Sequence, residues 1–311
     1  MLGHPRYFRI LRGANPHTRT SWGHRKRVDR ARMLAQWERF RQILVDLGVR
    51  ILVMPPAFDH PGTVFPANAG LRVGETVYLS RPNPARYQER GLYRRFLTDH
   101  RIPVKELPEA DSQWEGEADS FPVANPSRHP TPWTYLFTYG RLERQRFALR
   151  VGWPPYRRVY GFRTDQQAQQ AIQQIVHPHE VMPLELVDER YYHGDTCLCA
   201  FGPCHEFLLA YLPALSPDAR ARLTHRFGDR LVPLEESDAS VFAANSYQVE
   251  TRPVPTLLMP AEVSPRVQAQ VRERGVEPRL VDVSEFTVKG GGSIKCLLLH
   301  LGPSLGSLSA L

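Results

Sequence analysis

Residues 33–56 read MLAQWERFRQILVDLGVRILVMPP. Met33, Trp37, Phe40, Ile43, Leu44 and Leu47 recur at three- and four-residue steps, the spacing of one helical face. Gly48 supplies a C-terminal stop. Val49 to Met54 then reads as a buried strand, and Pro55-Pro56 closes it. The stretch therefore predicts a helix, a turn and a strand in immediate succession.

The same grammar returns four more times along the 311 residues. Residues 86–99 form a helical stretch carrying Tyr87, Leu92, Tyr93 and Phe96, followed by a strand from Ile102 to Leu107 that Pro108 closes. Asp165 to Val176 predicts a helix, and Val181 to Val187 its strand. Ser216 is an N-cap for a helix over Pro217 to Phe227, with Arg230 to Leu234 as strand. Ser264-Pro265 opens a fifth helix, where Pro suits the first turn. Gly275 ends it, and Arg279 to Val283 is the strand. The unit recurs about every 50 residues, with a longer gap between the second and third, and repetition on this scale signals repeated supersecondary units. Further strands fit between them at Thr76–Leu79, Thr134–Thr138, Arg146–Val151, Leu198–Phe201, Phe207–Leu212 and Ile294–Leu301. Five αβ units with added strands are able to close into a ring.

Composition is compatible with a single packed domain over 1–311. The chain is 42% hydrophobic, and its 28 prolines and 21 glycines are spread along the sequence as turn residues. The formal charge is +8. Much of the excess sits in residues 1–28, which hold seven Lys or Arg and no acid. That pattern reads as a solvated basic arm; charge alone is a weak basis for a nucleic-acid partner, and none is expected. No apolar stretch approaches the roughly 18 residues that span a bilayer, so no membrane partner is expected and the cytoplasm is the default location. Residues 303–311 read as a short tail. Cys197, Cys199 and Cys204 lie close together and Cys296 stands apart. A disulfide framework does not suit a chain of this length without a signal sequence. The spacing C-x-C-x4-C-H is not a zinc knuckle, and Cys197 and Cys199 alternate within an apolar strand pattern as core residues do.

Each repeat strand leads on to polar or reactive residues. Val64-Phe65-Pro66-Ala67-Asn68 comes after the first and Trp114 to Asp119 after the second. Tyr192-His193-Gly194-Asp195-Thr196 comes after the third, Ala244-Asn245-Ser246 after the fourth, and Gly290 to Cys296 after the fifth. In a ring, equivalent places converge on the axis, so these scattered residues read as one site. Cys, His and several carboxylates are the parts of nucleophilic catalysis, in which a thiolate attacks and a histidine moves protons. Gly290 to Gly292 let the backbone approach a ligand, and Cys296 then begins a strand. A buried thiol serves equally well as a small hydrophobe, and Glu115, Glu117 and Asp119 would suit a charged loop as well as a grip on a guanidinium.

Together, VFPANAGL (Val64 to Leu71), Glu115 to Asp119, LELVDERYYHGDTCLC (Leu184 to Cys199) and GGGSIKCL (Gly290 to Leu297) resemble the guanidino-group-modifying enzymes. These include the dimethylarginine dimethylaminohydrolases, arginine deiminases and glycine amidinotransferases, of the pentein α/β propeller fold. The resemblance runs from about Asn15-Pro16 to Leu301, so it places the basic start inside the domain. It implies an α/β fold of five ββαβ-type repeats about a pseudo-fivefold axis. It also implies Cys296 as nucleophile, His193 as general acid/base and Glu115 as the carboxylate that orients the guanidinium. Phe65, Asn68, Asp119 and Asp195 match substrate-binding positions. Neither a metal nor an organic cofactor is implied, and the partner is a small-molecule guanidine; a homo-oligomer is neither required nor excluded. The implied reaction is hydrolysis of a guanidine or amidine C–N bond through a covalent thiouronium on Cys296, with amidino transfer to an amine, or ligand binding without catalysis, as alternatives. Two departures stand out. Gly62 occupies a place where many members carry Asp, and the acids around residue 116 are spaced one residue wider, which leaves Glu115 and Glu117 both candidates for the inward carboxylate.

Overall fold

The computed structural model describes residues 1–10, 15–20, 22, 24–108, 112–124, 133–140 and 161–302. The expected strand Arg146–Val151 and the tail 303–311 lie outside them.

In chain order the elements are β1 (Leu2–Gly3), α1 (Arg30–Asp46), β2 (Val53–Met54), β3 (Gly70–Val73), β4 (Thr76–Leu79), α2 (Glu89–Asp99) and β5 (Val104–Glu106). They continue with β6 (Ser120–Ala124), β7 (Trp133–Tyr139), α3 (Ala168–Val176), β8 (Glu180–Glu185), β9 (Leu198–Phe201), β10 (Phe207–Ala210), α4 (Pro217–Phe227) and β11 (Leu231–Pro233). The last are α5 (Glu236–Ser240), β12 (Tyr247–Val249), β13 (Thr256–Pro260), α6 (Pro265–Glu273), β14 (Glu277–Val281) and α7 (Ser284–Gly290).

One pairing rule generates the sheets. A first strand pairs antiparallel with a second, a helix comes next, and a third strand returns parallel to the second. β3-β4-β5, β6-β7-β8, β9-β10-β11 and β12-β13-β14 all obey it. Both ends of the chain make the remaining copy. Leu298 bridges Leu2 antiparallel, and β1 pairs parallel with β2, which lies beyond α1. The Leu299 N–H also donates to the Met1 carbonyl at 3.0 Å.

The helices form where the spacing predicts them. In α1, Met33, Gln36, Trp37, Phe40 and Leu44 turn inward, and Asp29 caps the first turn by accepting from the Arg32 N–H. Ser216 and Ser264 cap α4 and α6 in the same way, each before a Pro at the first helical position. Gly275, at φ +75°, ends the segment after α6 in the left-handed conformation.

Three expectations change. The first repeat strand shrinks to Val53–Met54, with Val49 to Leu52 unpaired as strand. Ile294–Leu301 is not a strand: Lys295–Leu297 is a 3-10 turn, and Cys296 sits inside it. The basic start is not a solvated arm throughout, because Leu2, Phe8, Asn15 and Thr18 are buried. Among the described charges of this segment, Arg6, Arg25 and Arg27 are exposed.

Candidate active site

The polar turns all stand at the same point of the pairing rule, immediately before a first strand. Turn 66–69 leads into β3, turn 116–118 into β6, and turn 194–196 into β9. Asn245 and Ser246 lead into β12, and turn 295–297 leads to Leu298. These turns touch: 66–69 packs on both 116–118 and 295–297, and 116–118 packs on 194–196. Sequence-distant residues 68, 115, 119, 193, 195, 245 and 296 are thereby brought together, all of them buried.

His193 is the hub. Its Nδ1 lies 2.8 Å from Asp119 Oδ2 and its Nε2 3.3 Å from Glu115 Oε2. Asp119 is itself held by three donors: Thr138 Oγ1 at 2.7 Å, Thr164 Oγ1 at 2.6 Å and the Gly194 N–H at 3.0 Å. Glu115 Oε1 accepts from the Asn83 N–H at 3.1 Å. The Asn68 amide nitrogen stands 3.0 Å from both Glu115 Oε2 and His193 Nε2. It donates to Nε2 when that nitrogen is unprotonated. When His193 carries both protons, Glu115 takes the Nε2 proton instead.

The electrostatics derive from this packing. Burial pulls the His193 pKa down, but the Asp119 charge and hydrogen bond, aided by Glu115, outweigh it and raise it to about 9. Burial would raise Glu115; the hydrogen bond and charge of His193, with the Arg163 and Arg86 charges, hold it at about 2. Burial raises Asp195 to about 6.

Cys296 has two opposed partners. Its Sγ donates to Asp195 Oδ2 at 3.4 Å and accepts from Asn245 Nδ2 at 3.2 Å. Burial, then the Asp195 charge, push the thiol well above its ordinary value, so the resting group is protonated. The glycine run fits closely around it. A Cβ on Gly292 would lie 2.9 Å from Cys296 Cβ and 3.0 Å from Phe65 Cε1, so any side chain there would separate the Phe65 ring from the thiol. Phe65 in turn stands edge-on to Phe8 and Phe286. The strip is tied to the histidine turn from outside: Tyr192 Oη donates to the Gly291 carbonyl at 2.7 Å, and Asn15 Nδ2 donates to the Gly290 carbonyl at 2.9 Å.

The three acids do not share an edge. The 3-10 turn Gly116–Ala118 places Glu115 and Asp119 together on His193 and sends Glu117 away to Lys295 and the His300 N–H. Of the two glutamates, Glu115 is thus the one on His193. Gly116 makes this turn at φ +63°, with the Gly70 main chain so close that a Cβ would lie 2.6 Å from its carbonyl oxygen. Cys197 and Cys199 lie in the apolar core with Leu198 and Phe201, as the strand pattern predicts. Gly62 lies against an ion pair. A Cβ there would meet Glu89 Oε1 at 2.4 Å, and Glu89 is paired with Arg86, which also donates to the Gly62 carbonyl.

Thr138, Thr164, Arg163 and Tyr192 join the cluster without a sequence signal for it. Thr138 closes an apolar strand and Thr164 stands alone in an irregular stretch, so neither carries a motif. Arg163, whose guanidinium lies 5.3 Å from the Tyr192 ring centroid, had no neighbour in sequence to mark it.

A dimethylarginine dimethylaminohydrolase of Mycobacterium tuberculosis is 32% identical over 272 residues, covering 86% of this chain and 76% of that protein. The chain belongs to the guanidino-group-modifying enzymes. The bifunctional arginine dihydrolase/ornithine cyclodeaminase ArgZ of Synechocystis is 30% identical over 272 residues. That match covers 87% of this chain and 33% of ArgZ, so the chain spans about a third of this longer family member. The solved N-terminal domain of ArgZ bound to product superposes with a TM-score of 0.79 at 27% identity, covering 97% of this chain and 96% of that one. The mixed α/β fold is thus that of a family member. No family model matches the chain. Among the described residues, no helix is long and apolar enough to cross a membrane.

Proposed function

We propose that the chain is a cysteine-dependent hydrolase of the guanidine C–N bond, acting on arginine or an arginine derivative. The proposal extends to its build: one domain over 1–311, its five strand patterns closed into a pentein propeller with the polar turns on the axis. The pattern completed by both chain ends supports the closure.

One observation carries the reading: Asp195 Oδ1 is buried without a hydrogen-bond partner among the described residues, beside the Cys296 thiol and the His193–Glu115 pair. A buried carboxylate oxygen with an open valence suits a planar cation that brings its own donors. A guanidinium held there supplies the positive charge that the thiol lacks and favours its ionisation, the proton passing to solvent.

The chemistry then balances in two halves. The Cys296 thiolate bonds to the guanidinium carbon. His193, doubly protonated at neutral pH, donates its Nε2 proton to the departing nitrogen, which leaves as an amine or ammonia, and a thiouronium remains on Cys296. Water then adds to that carbon while His193 takes back a proton. The C–S bond breaks as the hydroxyl proton of the adduct passes to solvent, releasing a urea-type product and the thiolate. Asp119, fixed by three donors, holds the ring throughout, and Phe65 walls the sulfur. The relatives named as an arginine dihydrolase and a dimethylarginine dimethylaminohydrolase support the substrate class.

The test is a panel of arginine, methylated arginines and agmatine, with the ureido product and released amine measured. Turnover of at least one, lost in Cys296→Ala, is expected. Turnover that survives Cys296→Ala would sink the mechanism, and inertness toward the whole panel would sink the substrate class. Capture of the amidino group by an added amine would move the reading to amidino transfer.

A further inference from the structure

Asn245 is fully buried, and each hydrogen-bonding position of its side-chain amide is used. Oδ1 accepts from the Ser293 N–H at 2.9 Å and from the Cys296 N–H at 3.2 Å. Nδ2 donates to the Asp195 carbonyl at 3.0 Å and to Cys296 Sγ at 3.2 Å. The Asn245 carbonyl also accepts from the Lys295 N–H at 3.1 Å. The orientation of the amide is settled by its partners. Two main-chain N–H groups face one end and are donors only, so the oxygen must stand there and the NH2 must face the sulfur.

We infer that Asn245 is a further catalytic residue, an amide whose oxygen fixes the Cys296 main chain and whose nitrogen holds the Cys296 thiolate. The inference rests on the reading of Cys296 as nucleophile.

Two side chains compete for one sulfur. Asp195 Oδ2 is an acceptor and therefore binds the protonated thiol. Asn245 Nδ2 is a donor, and a donor is bound more strongly by an anionic sulfur than by a neutral one. As the cation occupies Asp195, the acceptor that favours S–H is withdrawn and the donor that favours S⁻ remains. The Ser293 main chain also favours the thiolate, but by less than Asn245. The side chain of Asn245 is placed for this by a tight turn: its N–H donates to the Phe242 carbonyl at 2.8 Å, across Phe242 at φ +61°. Asp would keep the acceptor end and lose the donor. A Ser or Ala would lose most of both.

The experiment is alkylation of Cys296 by iodoacetamide, read peptide by peptide so that the exposed Cys204 does not contribute. The rate is followed against pH in the wild type, Asn245→Asp, Asn245→Ala and Asp195→Asn, with folding checked by melting. Losing the donor is expected to raise the pH midpoint of labelling by about one unit or more in both Asn245 variants, about tenfold slower labelling at a fixed pH below it. Asp195→Asn is expected to lower the midpoint. A purely structural role would lower the melting temperature and leave the midpoint in place, and unchanged midpoints in the folded Asn245 variants overturn the inference. Iodoacetamide needs no guanidine turnover, so this outcome is independent of the substrate panel.

Discussion

Glu115 and Glu117 flank the same 3-10 turn, and the two sides of that turn differ. Glu115 shares its charge with His193, Asn68 and the Asn83 N–H in the cluster around Cys296. Glu117 pairs with the half-buried Lys295 ammonium and accepts from the His300 N–H, and it faces a cavity of about 760 Å³ together with Leu71, Tyr247 and Leu299. Cys296, His193, Glu115 and Asn68 do not line that cavity, whereas Asp195 does and so borders both sides. Lys295 and Cys296, adjacent in sequence, divide in the same way. One side of the layer spreads its charge over several neutral and titratable partners; the other holds it against one ammonium. Three alternating acids in a loop can thus be a site and a structural lock at once, and the turn between them decides which is which.

That contrast breaks if both sides respond alike to mutation. The largest effect is expected for His193→Gln, which removes the proton carrier and should lower turnover by about 10³-fold, measured on whichever guanidine is turned over. Asp119→Asn should come next. It removes the first raising influence on His193, so the ring's titration, followed by NMR, should move down from about 9 toward its ordinary value, with turnover falling about tenfold at pH 8. Glu117→Gln removes the charge partner of the half-buried Lys295 ammonium. It should cost about 3 kcal/mol in urea unfolding while Cys296 alkylation stays within about twofold of wild type. A large loss of thiol reactivity with no loss of stability would erase the distinction between the two sides.

The smallest expected effect is on pH dependence. His193 binds its proton more tightly in the folded state, at about 9 against an ordinary 6.5. Its contribution to stability is therefore full below about 6.5 and lost as pH rises through about 9. Glu115, held at about 2, contributes above its ordinary 4.5 and loses that as pH falls through about 2. Melting temperatures of wild type and His193→Gln should converge between pH 7 and 10.

Much of the frame was legible because it is periodic. The α1, α4 and α6 stripes and their caps are local signals, and all three helices stand where the spacing puts them. The first strands β3, β6 and β12 were not legible. β9 also follows a polar turn, but its run Leu198-Cys199-Ala200-Phe201 is apolar, whereas β3, β6 and β12 are interrupted by Arg72, Pro122 and Gln248. β1 was hidden for another reason: its partners are Val53–Met54, beyond α1, and Leu298, across most of the chain. In the site, motifs carried Cys296, His193 and Glu115 into view. The choice between Glu115 and Glu117 was not visible, because it depends on the positive φ of Gly116 rather than on residue type. The support of Asp119 by Thr138 and Thr164 was likewise invisible in a linear reading.

The proposed chemistry depends above all on a bond between Cys296 and the guanidinium carbon. The most direct measurement is the intact mass of the enzyme quenched in acid during turnover, followed by mapping of the modified peptide. The predicted result is a substrate-derived thiouronium adduct on Cys296 that is absent in Cys296→Ala and decays as product forms. Steady turnover with no adduct on Cys296, or with an adduct on another residue, would contradict it.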